Sequence, residues 1–225
     1  MIIKSEECED TVMYENLKGK TLVAIGDSLF EGNKLGKAYT WVNKMATVYG
    51  MYVYNYGKNG NTLAKQEKEP KVPPMCERYA DMKDNADYVV VLGGANDKRL
   101  SVPIGTNEDT DPTTFKGAMR QMILGLTAKY PKAKILFMTN YNRWPSKNEL
   151  GLSDIDYVLA MEEMCHIYSI PCFNNYYNAG LSFFNPNQLA WVDEGVVLGL
   201  PENHHFSEEA YDWLLPKYAA LLAAL

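Results

Sequence analysis

The run Tyr88-Val-Val-Val-Leu92 is apolar at every position. A strand with one face in water alternates apolar and polar residues, so a run that does not alternate is covered on both faces, as in the centre of a parallel sheet. The run stops at Gly93-Gly94-Ala95-Asn96-Asp97, a cluster of turn formers. Parallel strands need long crossovers between them, and the chain supplies segments of helical period in the right places. Thr21 to Ile25, Met51 to Tyr56, Lys134 to Met138 and a short Pro171 to Phe173 read as the other strands. Between them, Tyr39 to Tyr49 carries Trp41, Val42, Met45 and Val48 at helical spacing and ends at Gly50. A helix is expected from Pro73-Pro74 to about Met82, and another from Asp111-Pro112 to Tyr130. Ser153 caps a helix to about Tyr168, and Ser207 caps the last one, with Glu208 and Glu209 complementing its dipole. The expectation is one α/β domain over residues 1–225 with a parallel sheet and right-handed crossovers, residues 1–19 forming an irregular lead-in.

A chain of 225 residues can bury a full sheet between two helical layers. Its net charge of −6 argues against nucleic acid or an anionic membrane as partner, because phosphates call for a basic surface. The N-terminus is acidic where a signal peptide is basic and then apolar, and no run reaches the ~18 apolar residues of a membrane span. These features point to a cytoplasmic protein, or a secreted one if a leader has been removed. Cys8, Cys76, Cys165 and Cys172 have no metal-like spacing and read as incidental thiols, with a Cys165–Cys172 bridge left open.

Three successive strands end in small polar loops, at Ser28, Gly60 and Asn96. In a parallel sheet those ends open on one edge, where ligands bind. Gly26-Asp27-Ser28 by itself is also an ordinary turn with an Asx hydrogen bond. The convergence gives it another meaning: a serine nucleophile, a glycine N–H and an asparagine amide around one developing oxyanion. His205, just before the last helix, supplies a base, and Glu202 three residues earlier can reach its Nδ1 while Nε2 faces Ser28. His166 lies inside a helical segment and reads as structural. His204 beside His205 is a poor metal pair, so no metal site is expected.

Gly26-Asp-Ser-Leu29 resembles the GDSL block of the SGNH hydrolase superfamily, and Asn55-Tyr-Gly-Lys-Asn-Gly60 is similar to its glycine block. Gly94-Ala-Asn-Asp97 resembles the G-x-N-D block and Glu202-Asn-His-His205 the D-x-x-H block, all in the family's order over residues 21–211. The resemblance implies a flavodoxin-like three-layer α/β/α sandwich with a five-stranded parallel sheet. It implies Ser28 as nucleophile, Ser28 N–H, Gly60 N–H and the Asn96 side chain as oxyanion hole, and His205 as base. It also implies ester or thioester hydrolysis with no metal and no cofactor. The chain departs from the family at Glu202, where aspartate is usual; Asp193 is a reserve candidate for the triad acid.

The expected function is a serine esterase acting through an acyl-enzyme on short-chain acyl esters, including O-acetylated carbohydrate. An acyltransferase, a lysophospholipase or thioesterase, and a non-catalytic binding module are the alternatives. Tyr141, Arg143 and Trp144 follow the fourth strand and are candidates, with Asp27 and Tyr56, for the substrate site: aromatic faces stack on a sugar, and arginine meets an acidic group. Aromatic packing that pins the loop is the competing role for Tyr141 and Trp144. Asp27 is expected to brace the Ser28 turn and Asp97 to anchor its loop, neither acting as a base. Oligomeric state is not readable.

Overall fold

The structure is a computed structural model, and it describes residues 14–68, 71–143, 146–192 and 205–225. Five parallel strands, β1 (Thr21–Ile25), β2 (Tyr52–Asn55), β3 (Tyr88–Leu92), β4 (Lys134–Met138) and β5 (Cys172–Phe173), lie in the order β2-β1-β3-β4-β5. This is the flavodoxin-like order, in which the direction of winding reverses between β1 and β3 and leaves a crevice beyond their C-terminal ends. The register pairs Val23 with Val89 and Val90 with Leu136.

Period-two alternation sorts the strand residues between two cores. Leu22, Ala24, Val90, Leu92, Leu136 and Met138 face the core that also takes Trp41, Val42 and Met45 of α2 (Trp41–Tyr49). The same core takes Leu214, Tyr218 and Leu222 of the C-terminal helix, Glu208–Ala224. Val23, Ile25, Val89, Val91, Ile135 and Phe137 face the other side, against the helices Phe115–Lys129 and Asp154–Ile167. The result is a three-layer α/β/α sandwich, with the apolar strand β3 buried at all five positions.

Among the described residues, the helices are α1 (Ser28–Glu31), α2, α3 (Met75–Arg78), α4 (Ala95–Arg99), α5 (Phe115–Lys129), α6 (Asp154–Ile167), α7 (Asn175–Asn178) and α8 (Glu208–Ala224). Several differ from the sequence reading for local reasons. The second helix starts at Trp41 because Thr40 caps it, and Lys37–Tyr39 form a 3-10 turn before it. Val48, on the predicted apolar stripe, is exposed. The edge strand β2 is shorter than Met51 to Tyr56. Asp111 accepts from the Thr113 amide in an Asx turn, so the helix after Pro112 begins only at Phe115, capped by Thr114. The segment after β3, read as loop, opens with the short helix α4.

Two polar devices set the crevice. Asp97 of α4 is fully buried and accepts from the amides of Leu63 (3.0 Å) and Ala64 (2.9 Å), tying the loop after β2 to the end of β3. Tyr211 of α8, also buried, donates to the Leu29 carbonyl at 2.8 Å and so ties α8 to α1. Ahead of α8, Phe206 is buried among Tyr141 (4.8 Å between ring centroids), Tyr211 (5.5 Å) and Phe183 (6.0 Å). Residue 205 therefore directly precedes a core anchor and a helix cap, where Ser207 Oγ accepts from the Ala210 amide.

Both devices give measurable expectations. Tyr211→Phe keeps the ring but leaves the buried Leu29 carbonyl without its donor, and should cost about 1–2 kcal/mol in urea unfolding; no change would mean that the bond holds nothing. Burial raises the Asp97 carboxyl from 3.8 to about 6, against the lowering pull of the Ala64 and Leu63 amides. A carboxyl raised on folding stabilises fully below its unfolded value and loses that contribution as pH rises through its folded one. The stability of the wild type relative to Asp97→Asn should therefore fall from pH 4 to pH 7, on the order of 1–3 kcal/mol. A constant difference over that range would contradict the buried assignment.

Candidate active site

Ser28 is the first residue of α1, a single turn whose N-cap is Asp27. The Asp27 carboxylate accepts from the Leu29 amide at 2.9 Å, and its side chain is buried beneath the turn, so it braces Ser28 and does not line the crevice. Burial raises the Asp27 carboxyl, while the positive charge of Arg143 and the Leu29 amide pull it back down. The backbone at Ser28 is thus fixed by its own cap, and the hydroxyl is left half-buried at the crevice.

The loop after β2 packs on α1 as closely as a main chain allows. A Cβ on Gly57 would lie 2.4 Å from the Phe30 carbonyl carbon and the Glu31 nitrogen, so no larger residue fits. Asn55 holds both sides of that approach, accepting from the Gly57 amide (2.8 Å) and donating to the Phe30 carbonyl (2.6 Å). Lys58 N–H donates to Gly26 O at 3.0 Å, and the Asn59 amide donates to the Glu31 carboxylate. Gly60 then turns through φ +72°, a conformation that favours glycine.

Asn96 sits in the first turn of α4. Its Oδ1 accepts from Arg99 Nε at 3.1 Å, which fixes the amide's orientation. Its Nδ2 donates to the Asn61 carbonyl at 3.1 Å, and the second hydrogen of that amide remains for another acceptor. Arg78 in turn reaches Asn61 Oδ1 and the Tyr56 carbonyl (2.9 Å), so the loop is held at both ends.

His205 Nε2 lies 2.9 Å from Ser28 Oγ, although the two residues are 177 apart in the chain. On the other side of the ring, Nδ1 is 3.1 Å from Nδ2 of Asn33. Asn33 is a site residue that sequence reading did not identify: it follows α1 in a polar turn that carries no motif. Ser28, Asn33, Gly60, Asn96 and His205 all line one cleft of about 670 Å³. Glu202, His204 and Asp193 lie outside the described residues, as does Trp144.

The aromatic candidates for substrate stacking are placed elsewhere. Tyr141 is 1% exposed, and its hydroxyl pairs with that of Tyr218 at 2.6 Å under an edge-to-face contact with Phe206. It belongs to the core and has no ring face in the cleft. Tyr56 packs against the other core and accepts the Lys83 amide at 2.8 Å. Arg143, by contrast, lines the cleft. His166 is exposed on α6, and Cys76, Cys165 and Cys172 are free thiols. Among the described residues, no group of three or more His, Cys, Asp or Glu side chains could hold a metal, and no helix is long and apolar enough to cross a membrane.

Comparison with known proteins agrees with this architecture. One solved structure, 31% identical in sequence, superposes with a TM-score of 0.82 over 93% of this chain and 98% of its own. A protein from Lactobacillus plantarum is 25% identical, with a TM-score of 0.78 over 92% of this chain and 98% of its own. The native aryl esterase of M. smegmatis shares the fold at 16% identity, with a TM-score of 0.64 over 92% of this chain and 100% of its own. No curated protein matches the sequence. The profile of the GDSL-like lipase/acylhydrolase family matches residues 24–213, which contain Ser28, Gly60, Asn96 and His205, and the chain belongs to that family.

Proposed function

We propose that this chain is a serine ester hydrolase that cleaves short-chain acyl esters through an acyl-enzyme on Ser28. The observation that carries the proposal is the 2.9 Å contact between His205 Nε2 and Ser28 Oγ at the mouth of the cleft. In the first step His205 takes the hydroxyl proton as Ser28 Oγ attacks the ester carbonyl carbon. The carbonyl oxygen becomes an oxyanion facing three donors: Ser28 N–H, Gly60 N–H and the second hydrogen of Asn96 Nδ2. Collapse of that intermediate breaks the carbon–oxygen bond to the alcohol, which leaves with the proton from His205. Water, deprotonated by the same imidazole, then releases the acid and restores Ser28.

For this sequence Nε2 must offer a lone pair to Ser28, so the ring proton must sit on Nδ1. The Asn33 amide beside Nδ1 serves that tautomer when its oxygen faces the ring, and amide orientation follows the hydrogen-bond network. Glu202, three residues before His205, is proposed as the acid that shares this orienting task. Arg99 has a supporting role: by holding Asn96 Oδ1 it turns Nδ2 toward the carbonyl's oxygen.

The preference for short acyl groups follows from the walls. Ala95 is the one apolar side chain among the described lining residues, and the rest are polar, charged or glycine. Among these described residues a long alkyl chain finds only the Ala95 side chain as an apolar partner with which to leave water. An acetylated sugar as the alcohol part gains no stacking platform from Tyr56 or Tyr141, which are turned away.

Ser28→Ala should fold normally by circular dichroism and lose p-nitrophenyl acetate turnover by about 10⁵–10⁶-fold; a variant keeping a tenth of wild-type activity would overturn the assignment. Asn96→Ala should lose about 10²–10³-fold in kcat if its amide serves the oxyanion. Glu202→Gln should lower kcat by as much as about 10⁴-fold, and unchanged turnover would remove Glu202 from the site.

A further inference from the structure

Among the described residues, the walls of the cleft beside Ser28 carry more positive than negative side chains, in a protein that is negative as a whole. Lys98 and Arg99 reach it from α4, and Arg143 and Lys147 from the loop after β4, against one carboxylate, Asp154, among the described lining residues. The chain's net charge is −6. Two of these cations bond to neutral partners: Lys98 Nζ donates to Ser146 Oγ at 2.9 Å, and Arg99 Nε to Asn96 Oδ1 at 3.1 Å. The Lys98 bond holds that charge in place without cancelling it.

Arg143 stands out further. Its guanidinium lies over the Phe183 ring, 6.0 Å from the centroid, and its buried Nε and Nη2 donate to none of the described residues. Buried donors on a charged group are costly when unpaired, and native interiors rarely tolerate them without a reason. Asp27 and Asp154 are near enough for Arg143 to pull their carboxyls down against burial, yet neither accepts from Nε or Nη2. Asp154 already takes Asn140 Nδ2 at 2.7 Å. Nε and Nη2 form the edge of the guanidinium that receives two oxygens of one anion in parallel bonds. Arg143 lines the cleft, so this edge is the group with which an anion bound there would pair.

We infer that the cleft is built for an ester that carries an anionic group, a carboxylate or a phosphate, bound by Arg143 with Lys98 and Lys147 around it. The inference rests on the ester hydrolysis proposed above only for the word ester; the anion site itself rests on the cation cluster and the unpaired guanidinium. Clefts lined by one sign of charge also raise the local concentration of the opposite ion and speed its capture, an effect that salt weakens.

The test is calorimetric binding to Ser28→Ala, which performs no chemistry, of non-hydrolysable amides in matched pairs. 4-Acetamidobenzoate should bind about tenfold or more tightly than the neutral 4-acetamidobenzamide at low salt. Alternatively, 2-acetamidoethyl phosphate should show that advantage over 2-acetamidoethanol, which would identify phosphate as the anion. The advantage should shrink as ionic strength rises, and largely disappear in Arg143→Gln or, if that variant does not fold, in Lys147→Glu. Equal affinity within both pairs, or a preference that neither substitution reduces, would overturn the anion site. Anion binding in a protein whose wild type hydrolyses no ester would leave the anion site standing and remove the hydrolase. Ester turnover without anion preference would do the reverse.

Discussion

The geometry of the cleft depends on how α8 is locked against α1. A side chain at position 205 meets one at position 28 because the segment that follows His205 is anchored in the core. Phe206 is buried among three aromatic rings, Ser207 caps the helix that follows, and Tyr211 reaches across to the Leu29 carbonyl. Each contact is ordinary in strength. Together they leave the imidazole little freedom except rotation about its own side-chain bonds, which is the condition for positioning to contribute to rate.

The other half of the cleft is organised by polar satisfaction. Asn55, Asp97 and Arg78 each hold main-chain or amide groups of the loop after β2, and Arg99 fixes the Asn96 amide. Donors fixed in this way need no reorganisation when charge develops near them. The same loop shows why small residues are required there, since Gly57 touches the main chain of α1 where a Cβ has no room. Charge acts in the same direction: the described walls carry four cationic side chains against one carboxylate, so the proposed oxyanion and an anionic ligand would be favoured by one field.

Much of this was legible in the residues themselves. β3 and β4 have the bounds that their apolar runs suggest, and Ser153 and Ser207 cap helices as expected. Local chemistry decides those features, so local sequence reveals them. The misplaced elements are those in which two local signals compete. Asp111-Pro112 reads as a helix start, but the Asp111 side chain is taken by an Asx turn and Thr114 wins the cap. Tyr141 could not be assigned from its loop, because its partner Tyr218 is 77 residues away. Asn33 had no signal either: only the fold brings it to His205, 172 residues on. The flavodoxin-like sandwich likewise came from the family resemblance and not from any single strand's composition.

The central claim is that Ser28 is a nucleophile made reactive by its contact with His205. Incubation with an organophosphonate bearing a p-nitrophenol leaving group, followed by intact mass and peptide mapping, tests that claim without a substrate having to be known. The expected result is one adduct per chain, on Ser28, forming far more slowly in His205→Ala. No adduct, or an adduct on any other residue while Ser28 stays unmodified, would contradict it.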